Sequence, residues 1–411
     1  MRIVLLTGTR PDIIKMAPLY WEGKKRGHDV ILVHSNQHYP YDLFEGVYRD
    51  LGLPYPPHFV LNDGFAKKLA RKVSKHSYFY DLKKGTQITR KIEKLGAKIL
   101  SSRPNPANTI AEIIDGLNDL FANHLKNVDI VLVHGDTLTC SAGALSAHLN
   151  LIPVGHVEAG LRTGTREPFP EQTNTRIADA CSDLRFAAIE KNAKFLEREG
   201  FDKRDIHVVG NTVVDAVLWA KDKGNKDFFL GLGADSSKKW IYFSAHRREN
   251  LIHEKRFRAI VKAAYDLADM GYQVIWSIRP GTQKYFEDYS ISVKHDNIIT
   301  VKEIPNYTDI VWLMNNCELI VTDSGSMQEE AAALKKPCIT LRFVTDRPET
   351  VEAGVNFLAE PDERLDIKQT VKKALSVKNF PEIYGKGDSS AKIYDIIEKR
   401  KGKFIRWADE K

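Results

Sequence analysis

The stretch Ile130-Val131-Leu132-Val133-His134-Gly135-Asp136-Thr137 reads as a short apolar strand that runs into a polar turn. A second stretch repeats the design: Ile152-Pro153-Val154-Gly155-His156-Val157-Glu158-Ala159-Gly160-Leu161-Arg162-Thr163. Short apolar runs bounded by turn residues fit buried strands. A helix-period segment, residues 141–150, lies between them, so the two strands are expected to be parallel. Open parallel sheets bind ligands outside the carboxyl ends of their strands. Asp136 and Glu158 fall at such ends, with Arg162 close behind. Acids beside a cation at that place point to acid/base chemistry on a bound anion.

The alternation extends in both directions. Apolar runs at 3–6, 30–33, 184–188 and 206–209 alternate with helix-period segments at 11–25, 107–124, 176–181 and 192–199. The stretch 221–239 is rich in Lys, Gly, Asp and Ser and is expected to be a connection or surface loop. Strand and helix patterns restart at 240–243 and continue to 338–341, and a closing helix is expected over 389–400. The fold class is therefore α/β, with two Rossmann-like doubly wound domains facing a cleft. The expected division is an N-terminal domain of residues 1–210 plus 390–411 and a C-terminal domain of residues 211–389.

Composition narrows the function. A chain of 411 residues with 43% hydrophobic content fits two domains with sizeable cores. There is no run of 18 apolar residues, so no membrane span is expected. The apolar stretch that follows Met1 is too short for a signal peptide. Cys140, Cys181, Cys317 and Cys338 form no CxxC pair and are expected to be structural thiols of a cytoplasmic protein. The net charge of +7 is concentrated in a basic insert at about 63–105, within which residues 64–103 carry twelve Lys/Arg and two acids. The rest of the chain carries 49 basic and 52 acidic residues. No nucleic-acid module accompanies the insert. It reads as a helical excursion with a solvated cationic face, and no nucleic-acid partner is expected.

Four turns carry chemistry-bearing residues. Thr7-Gly8-Thr9-Arg10-Pro11-Asp12 links the first strand to the first helix and puts Arg10 and Lys15 near a helix N-terminus, which favours anions. Neither a dinucleotide fingerprint nor a Walker loop is present. Thr322-Asp323-Ser324-Gly325-Ser326 repeats the logic: the N–H groups and hydroxyls of Ser324, Gly325 and Ser326 can cradle a diphosphate. Glu330 follows within reach of sugar hydroxyls, although adjacent glutamates more often mark a solvated face. His246, before Arg247 and Arg248, can titrate near neutrality or donate to a phosphate. In Pro168-Phe169-Pro170-Glu171 the prolines stiffen the turn that presents Glu171. Convergence of Asp136, Glu158 and Glu171 would separate their pKa values into an acid and a base. Asp215 and Asp323 read as cap or turn residues.

Nine elements in order resemble the non-hydrolysing UDP-N-acetylglucosamine 2-epimerase family. They are Gly8-Thr9-Arg10-Pro11-Asp12, His134-Gly135-Asp136-Thr137, His156-Val157-Glu158-Ala159-Gly160-Leu161-Arg162, Pro170-Glu171, Gly210-Asn211-Thr212-Val213, His246-Arg247-Arg248-Glu249-Asn250, Asp323-Ser324-Gly325, Gln328-Glu329-Glu330 and Arg347-Pro348-Glu349. The resemblance implies a glycosyltransferase-B-like fold with the site between its two domains. It implies reversible conversion of UDP-N-acetylglucosamine (UDP-GlcNAc) to UDP-N-acetylmannosamine (UDP-ManNAc) without a redox cofactor or a metal. UDP is eliminated across C1–C2, leaving bound 2-acetamidoglucal, and re-adds after C2 is protonated from the other face. It further implies Asp136, Glu158 and Glu171 as acid/base groups and His246 at the departing diphosphate. Arg10, Ser324, Gly325, Ser326 and Arg347 would hold phosphates, Glu330 the ribose, and Lys15 would belong to the substrate site. The expected partner is a UDP-sugar, and the expected assembly is a homodimer.

The chain departs from the family's pattern at Gln172, at Asn174-Thr175, at Ser326 and at Ser277. Two alternatives stand beside this reading. One is 2-epimerisation of UDP-2,3-diacetamido-2,3-dideoxy-glucuronate, with Arg279 a candidate for its extra carboxylate. The other is a UDP-sugar-dependent glycosyltransferase on the same fold.

Overall fold

A computed structural model describes residues 1–37, 44–61, 105–163, 169–302 and 304–403. The helical excursion expected within 63–105 falls outside the described residues except for its last position, and Pro168 and residues 404–411 lie outside them too. The front half runs β1 (Arg2–Thr7), α1 (Arg10–Lys25), β2 (Asp29–His34), α2 (Glu45–Asp50), β3 (Phe59–Val60) and α3 (Pro106–Asp119). It continues with β4 (Ile130–His134), α4 (Leu138–Leu149), β5 (Val154–Ala159), α5 (Glu171–Cys181), β6 (Leu184–Ala187), α6 (Glu190–Arg198) and β7 (Ile206–Val208). The back half begins with α7 (Thr212–Ala220), α8 (Lys226–Gly231), β8 (Trp240–Ser244), α9 (Arg248–Leu251), α10 (Glu254–Asp269) and β9 (Gln273–Ser277). Then come α11 (Pro280–Asp288), β10 (Ile298–Val301), α12 (Tyr307–Asn316), β11 (Leu319–Thr322), α13 (Gly325–Ala333) and β12 (Cys338–Thr340). The described chain finishes with α14 (Pro348–Glu352), β13 (Asn356–Leu358), α15 (Ile367–Leu375) and α16 (Ser389–Arg400).

The strands form two parallel sheets. The first has the order β3-β2-β1-β4-β5-β6-β7 and the second β10-β9-β8-β11-β12-β13. Central strands such as β1, β4 and β8 are apolar and buried along nearly their whole length, as sheets covered by helices on both faces require. Leu5 lies opposite Leu32 on one side and Leu132 on the other. Phe243 lies opposite Trp276 and Val321 in the same way. In each sheet the order reverses beside the first strand, between β1 and β4 and between β8 and β11. Those are the places where a ligand crevice opens.

The stretch expected as a loop over 221–239 holds a helix, α8, because Phe229 is fully buried against Trp240 and Trp312. The polar composition of that stretch concealed one apolar anchor. The edge strands β3 and β13 have two and three residues, too short to leave a period in the sequence.

α7 joins the halves. It packs against α1, α16, α12 and α13, and one apolar cluster links Leu19 to Val213, Val217, Met314 and Ala331. α16 returns to the front half: Arg26 donates to Asp395 at 2.7 Å, and the Tyr394 hydroxyl donates to the Leu19 carbonyl at 2.8 Å. Asp215 accepts from the first N–H groups of α16, at Ser389 and Ser390, and so caps it.

Candidate active site

The turn after β1 is tight because Gly8 has no side chain. A Cβ there would come within 2.0 Å of the Thr139 hydroxyl. Thr9 then starts α1 with a capping box: its hydroxyl accepts the Asp12 N–H, and the Asp12 carboxylate accepts the Thr9 N–H at 3.1 Å. The other Asp12 oxygen takes Nδ1 of His134 at 3.0 Å. One buried aspartate thus fixes both a helix start and the imidazole at the end of β4.

Glu158 sits where β5 slips register against β6, between Val157 and Ala159, and its φ is +65°. A non-glycine residue in the left-handed region at a bulge is strained, and the bulge re-aims its side chain. The Glu158 carboxylate turns inward. Its Oε1 accepts from Lys15 and, at 2.6 Å, from Asn211; its Oε2 lies 3.4 Å from Nε2 of His134. Lys15 also reaches across to Glu329 of the back half at 2.8 Å, and the second Glu329 oxygen accepts from Arg347. A charge chain therefore runs His134–Glu158–Lys15–Glu329–Arg347 from one sheet to the other.

The three carboxyl groups differ in environment. Burial alone would raise Glu158, but the charges of Lys15, His134 and Arg347 hold it well below the usual carboxylate range. Asp136 is pushed up to about 6, by burial first and then by the nearby carboxylates of Glu158 and Glu171, against the pull of Arg347. Glu171 opens α5, and among the described residues one of its buried oxygens has no hydrogen-bond partner. His134 loses basicity through burial but gains more from Glu158 and Asp12, and ends at about 9.

The back half contributes the other wall. Asp323, after β11, accepts the N–H groups of His246 and Arg247, at 3.0 and 2.9 Å, and the Asn250 side chain at 3.0 Å. It is thus a turn-fixing residue that locks the loop after β8. Ser324 is the N-cap of α13 and its side chain makes no cap bond. A Cβ on Gly325 would lie 3.1 Å from the Asp346 carboxylate, which would have to give way by a few tenths of an ångström to admit it. Burial and the charges of Arg279 and Arg247 push His246 down to about 3, which leaves a neutral ring near the Ser324 turn. Glu330 is raised to about 7, mainly by burial, although Tyr307 donates to it at 3.2 Å.

Exposure sorts these groups into two layers. Arg10, Asp136, Glu171, His246, Ser324, Ser326 and Arg347 keep part of their surface open, whereas Gly325 is buried. Asp12, Lys15, His134, Glu158, Glu329 and Glu330 lie beneath them. Arg279 is open to solvent, yet its charge is disfavoured by surrounding protein and by Arg10. A cation lining a water-filled cleft has both properties. Among the described residues no group of His, Cys, Asp and Glu is arranged to hold a metal, and no helix is long and apolar enough to cross a membrane.

The family model for UDP-N-acetylglucosamine 2-epimerase matches residues 76–398. A UDP-N-acetylglucosamine 2-epimerase of Methanocaldococcus jannaschii is 32% identical over 405 residues, 97% of this chain and 99% of the relative. This chain belongs to the UDP-N-acetylglucosamine 2-epimerase family. Two structures of such epimerases show how far the likeness extends in space. That of the M. jannaschii enzyme with UDP-GlcNAc and UDP has a TM-score of 0.74 at 31% identity, covering 97% of this chain and all of that one. The Neisseria meningitidis enzyme bound to UDP-GlcNAc has a TM-score of 0.77 at 28% identity, with the same coverage. The glycosyltransferase-B-like fold follows for this epimerase-family chain.

One expectation for this epimerase-family site is corrected. Arg162 is not the cation beside the acids. Its guanidinium is tied to buried Asp179 at 2.8 Å and to Glu199, and Asp179 also holds His156 at 2.7 Å. The positive φ of both Glu158 and Gly160 turns the chain, so the two side chains part. Lys15 and Arg347 stand in its place. Asp12, His134, Asn211 and Glu329 were not singled out in the sequence as site residues. For Glu329 a signal existed: neither Gly325 nor Ala333, four residues away on α13, offers a cation, as a surface glutamate on a helix would usually have. The departure at Asn174 is absorbed into the site, since its side chain donates to the Asp136 carbonyl at 2.9 Å.

Proposed function

We propose that this chain interconverts UDP-GlcNAc and UDP-ManNAc by elimination and re-addition of UDP. The supporting observation is the charge chain that runs from Glu158 through Lys15 and Glu329 to Arg347. It supports a reading in which the acids of one sheet and the phosphate-type turn of the other serve one cleft. Glu158, kept ionised, is the base that takes the C2 proton as the C1–O bond breaks. Asp136, near neutrality in its titration, is the acid that returns a proton to the opposite face, and Glu171 is the third acid/base group. The leaving diphosphate is received by Arg10, Arg347 and the Ser324-Gly325-Ser326 turn, with the neutral His246 as hydrogen-bond donor. Lys15 completes the substrate site and Glu330 takes the ribose.

The proposed division is residues 1–210 with 390–411 against 211–389, supported by the return of α16 to α1 through Arg26 and Tyr394. A homodimer in the cytoplasm is proposed as assembly and location. The four free cysteines suit a reducing compartment, and light scattering of the purified protein decides the assembly.

Arg279 favours one second reading. Its guanidinium faces the cleft, and among the described residues no side-chain acceptor is assigned to it. An extra carboxylate on the sugar, as in UDP-2,3-diacetamido-2,3-dideoxy-glucuronate, would meet it. Incubation with each nucleotide sugar, followed by NMR of the anomeric region, separates the two. A manno-configured product from UDP-GlcNAc supports the first reading, and one from the uronate alone supports the second.

A further inference from the structure

Asn211 lies where the chain passes from the first sheet to the second. Three of its groups are committed there. Its N–H donates to the Tyr384 carbonyl at 2.9 Å, on the segment that returns from the back half. Its Oδ1 accepts the Val213 N–H at 2.9 Å and caps α7. Its remaining donor, Nδ2, reaches Oε1 of Glu158 at 2.6 Å, and the residue is 1% exposed. The backbone contact and the cap leave the amide one orientation, with the donor toward the carboxylate.

Among the described residues, the charged groups that face Glu158 come from different elements, and the Cys140 thiol of α4, pushed up by burial and by carboxylates that include Glu158, stays neutral beside them. Lys15 comes from α1, His134 from the end of β4, Asp136 from the turn beyond it, and Arg347 from the loop before α14. Lys15 and Asn211 share Oε1, which leaves Oε2 toward His134 and the Gly135-Asp136 turn. Lys15 is itself tied to Glu329. Both donors to Oε1 are therefore anchored in the back half or at the crossover.

We infer that Asn211 is a positioning residue for the reaction: it fixes Glu158 from the chain crossover, commits Oε1, and keeps Oε2 as the oxygen that works on the substrate. The inference rests on the proposed role of Glu158. A neutral donor to a buried carboxylate favours the ionised form, so loss of the donor raises the pH at which Glu158 becomes protonated.

Asn211→Ser keeps a capping oxygen for α7 but cannot reach Glu158. Asn211→Asp keeps shape and cap but turns the donor into a second carboxylate. The full-length protein is assayed for deuterium exchange at C2 of UDP-GlcNAc across pH. In Asn211→Ser, kcat is expected to fall roughly 10–100-fold with KM within about threefold, and the acid limb of the kcat profile to move up by about one pH unit. In Asn211→Asp both effects are expected to be larger. The Glu158 carboxyl carbon, followed by NMR of protein with labelled glutamate, is expected to titrate higher in both variants. This second readout needs no turnover. If the unmodified protein exchanges nothing, the epimerase reading fails while the titration still judges Asn211. An unmoved titration in either folded variant overturns the inference, as does an unmoved acid limb in an active one.

Discussion

Glu329→Gln tests the junction between the sheets. The Glu329 carboxylate accepts Lys15 Nζ at 2.8 Å with one oxygen and Arg347 Nε with the other, and its side chain is 2% exposed. Removing one member of a buried ion pair costs about 3–5 kcal/mol, because its partner is left uncompensated. A glutamine keeps one acceptor oxygen, and Lys15 keeps Glu158, so the lower end applies: about 3 kcal/mol. That is a large share of a typical stability of roughly 5–15 kcal/mol. One apolar cluster spans both halves, so a single unfolding transition is expected. Urea unfolding followed by tryptophan fluorescence should show a lower midpoint at unchanged slope. Calorimetric titration with UDP should show weaker binding in the same variant, because Arg347 loses the partner that aims it. A midpoint change worth less than about 1 kcal/mol, the worth of an exposed pair, would refute the buried-junction argument.

Further expectations follow from the site. His134 is raised from 6.5 to about 9 in the folded protein, so its contribution to stability is complete below 6.5 and is lost as pH rises through about 9. Asp12→Asn should shift that loss to lower pH in thermal melts between pH 6 and 10, and identical curves for both proteins would exclude the pairing. Asp136→Asn, Glu158→Gln and Glu171→Gln should each slow turnover by roughly 10²–10⁴-fold, and an unchanged rate would remove that residue from the mechanism. Arg162→Met should cost about 2–4 kcal/mol of stability through uncompensated Asp179. The same variant, while folded, should turn over within about threefold of the unmodified rate; a greater loss would return Arg162 to the site.

The architecture was legible because strand-end turns are short and chemically marked. His134-Gly135-Asp136-Thr137 and Asp323-Ser324-Gly325 both lie where the strand order reverses, so reading them as ligand-facing was enough to place the cleft. The nearness of Asp136 to Glu158 was also readable, since parallel neighbours β4 and β5 must end side by side. The direction of a side chain was not. The spacing of Glu158 and Arg162 suggested partners, and only the bulge and two left-handed residues show that they part. Glu329 was hidden for a related reason. Helical period tells which residues share a face but not that the polar face meets another domain. Asp12, His134 and Asn211 act by supporting other side chains, and such partnerships join residues more than 50 positions apart in sequence.

In the proposed reaction one nucleotide sugar is held between the two sheets while C2 gives up and regains a proton. The most direct measurement incubates the purified protein with UDP-GlcNAc in D₂O and follows the C2 proton by NMR. Loss of the C2 proton signal and the appearance of UDP-ManNAc deuterated at C2 are expected. A manno product that keeps its original C2 hydrogen, or full retention of C2–H with no second sugar at saturating substrate, would contradict the proposed reaction.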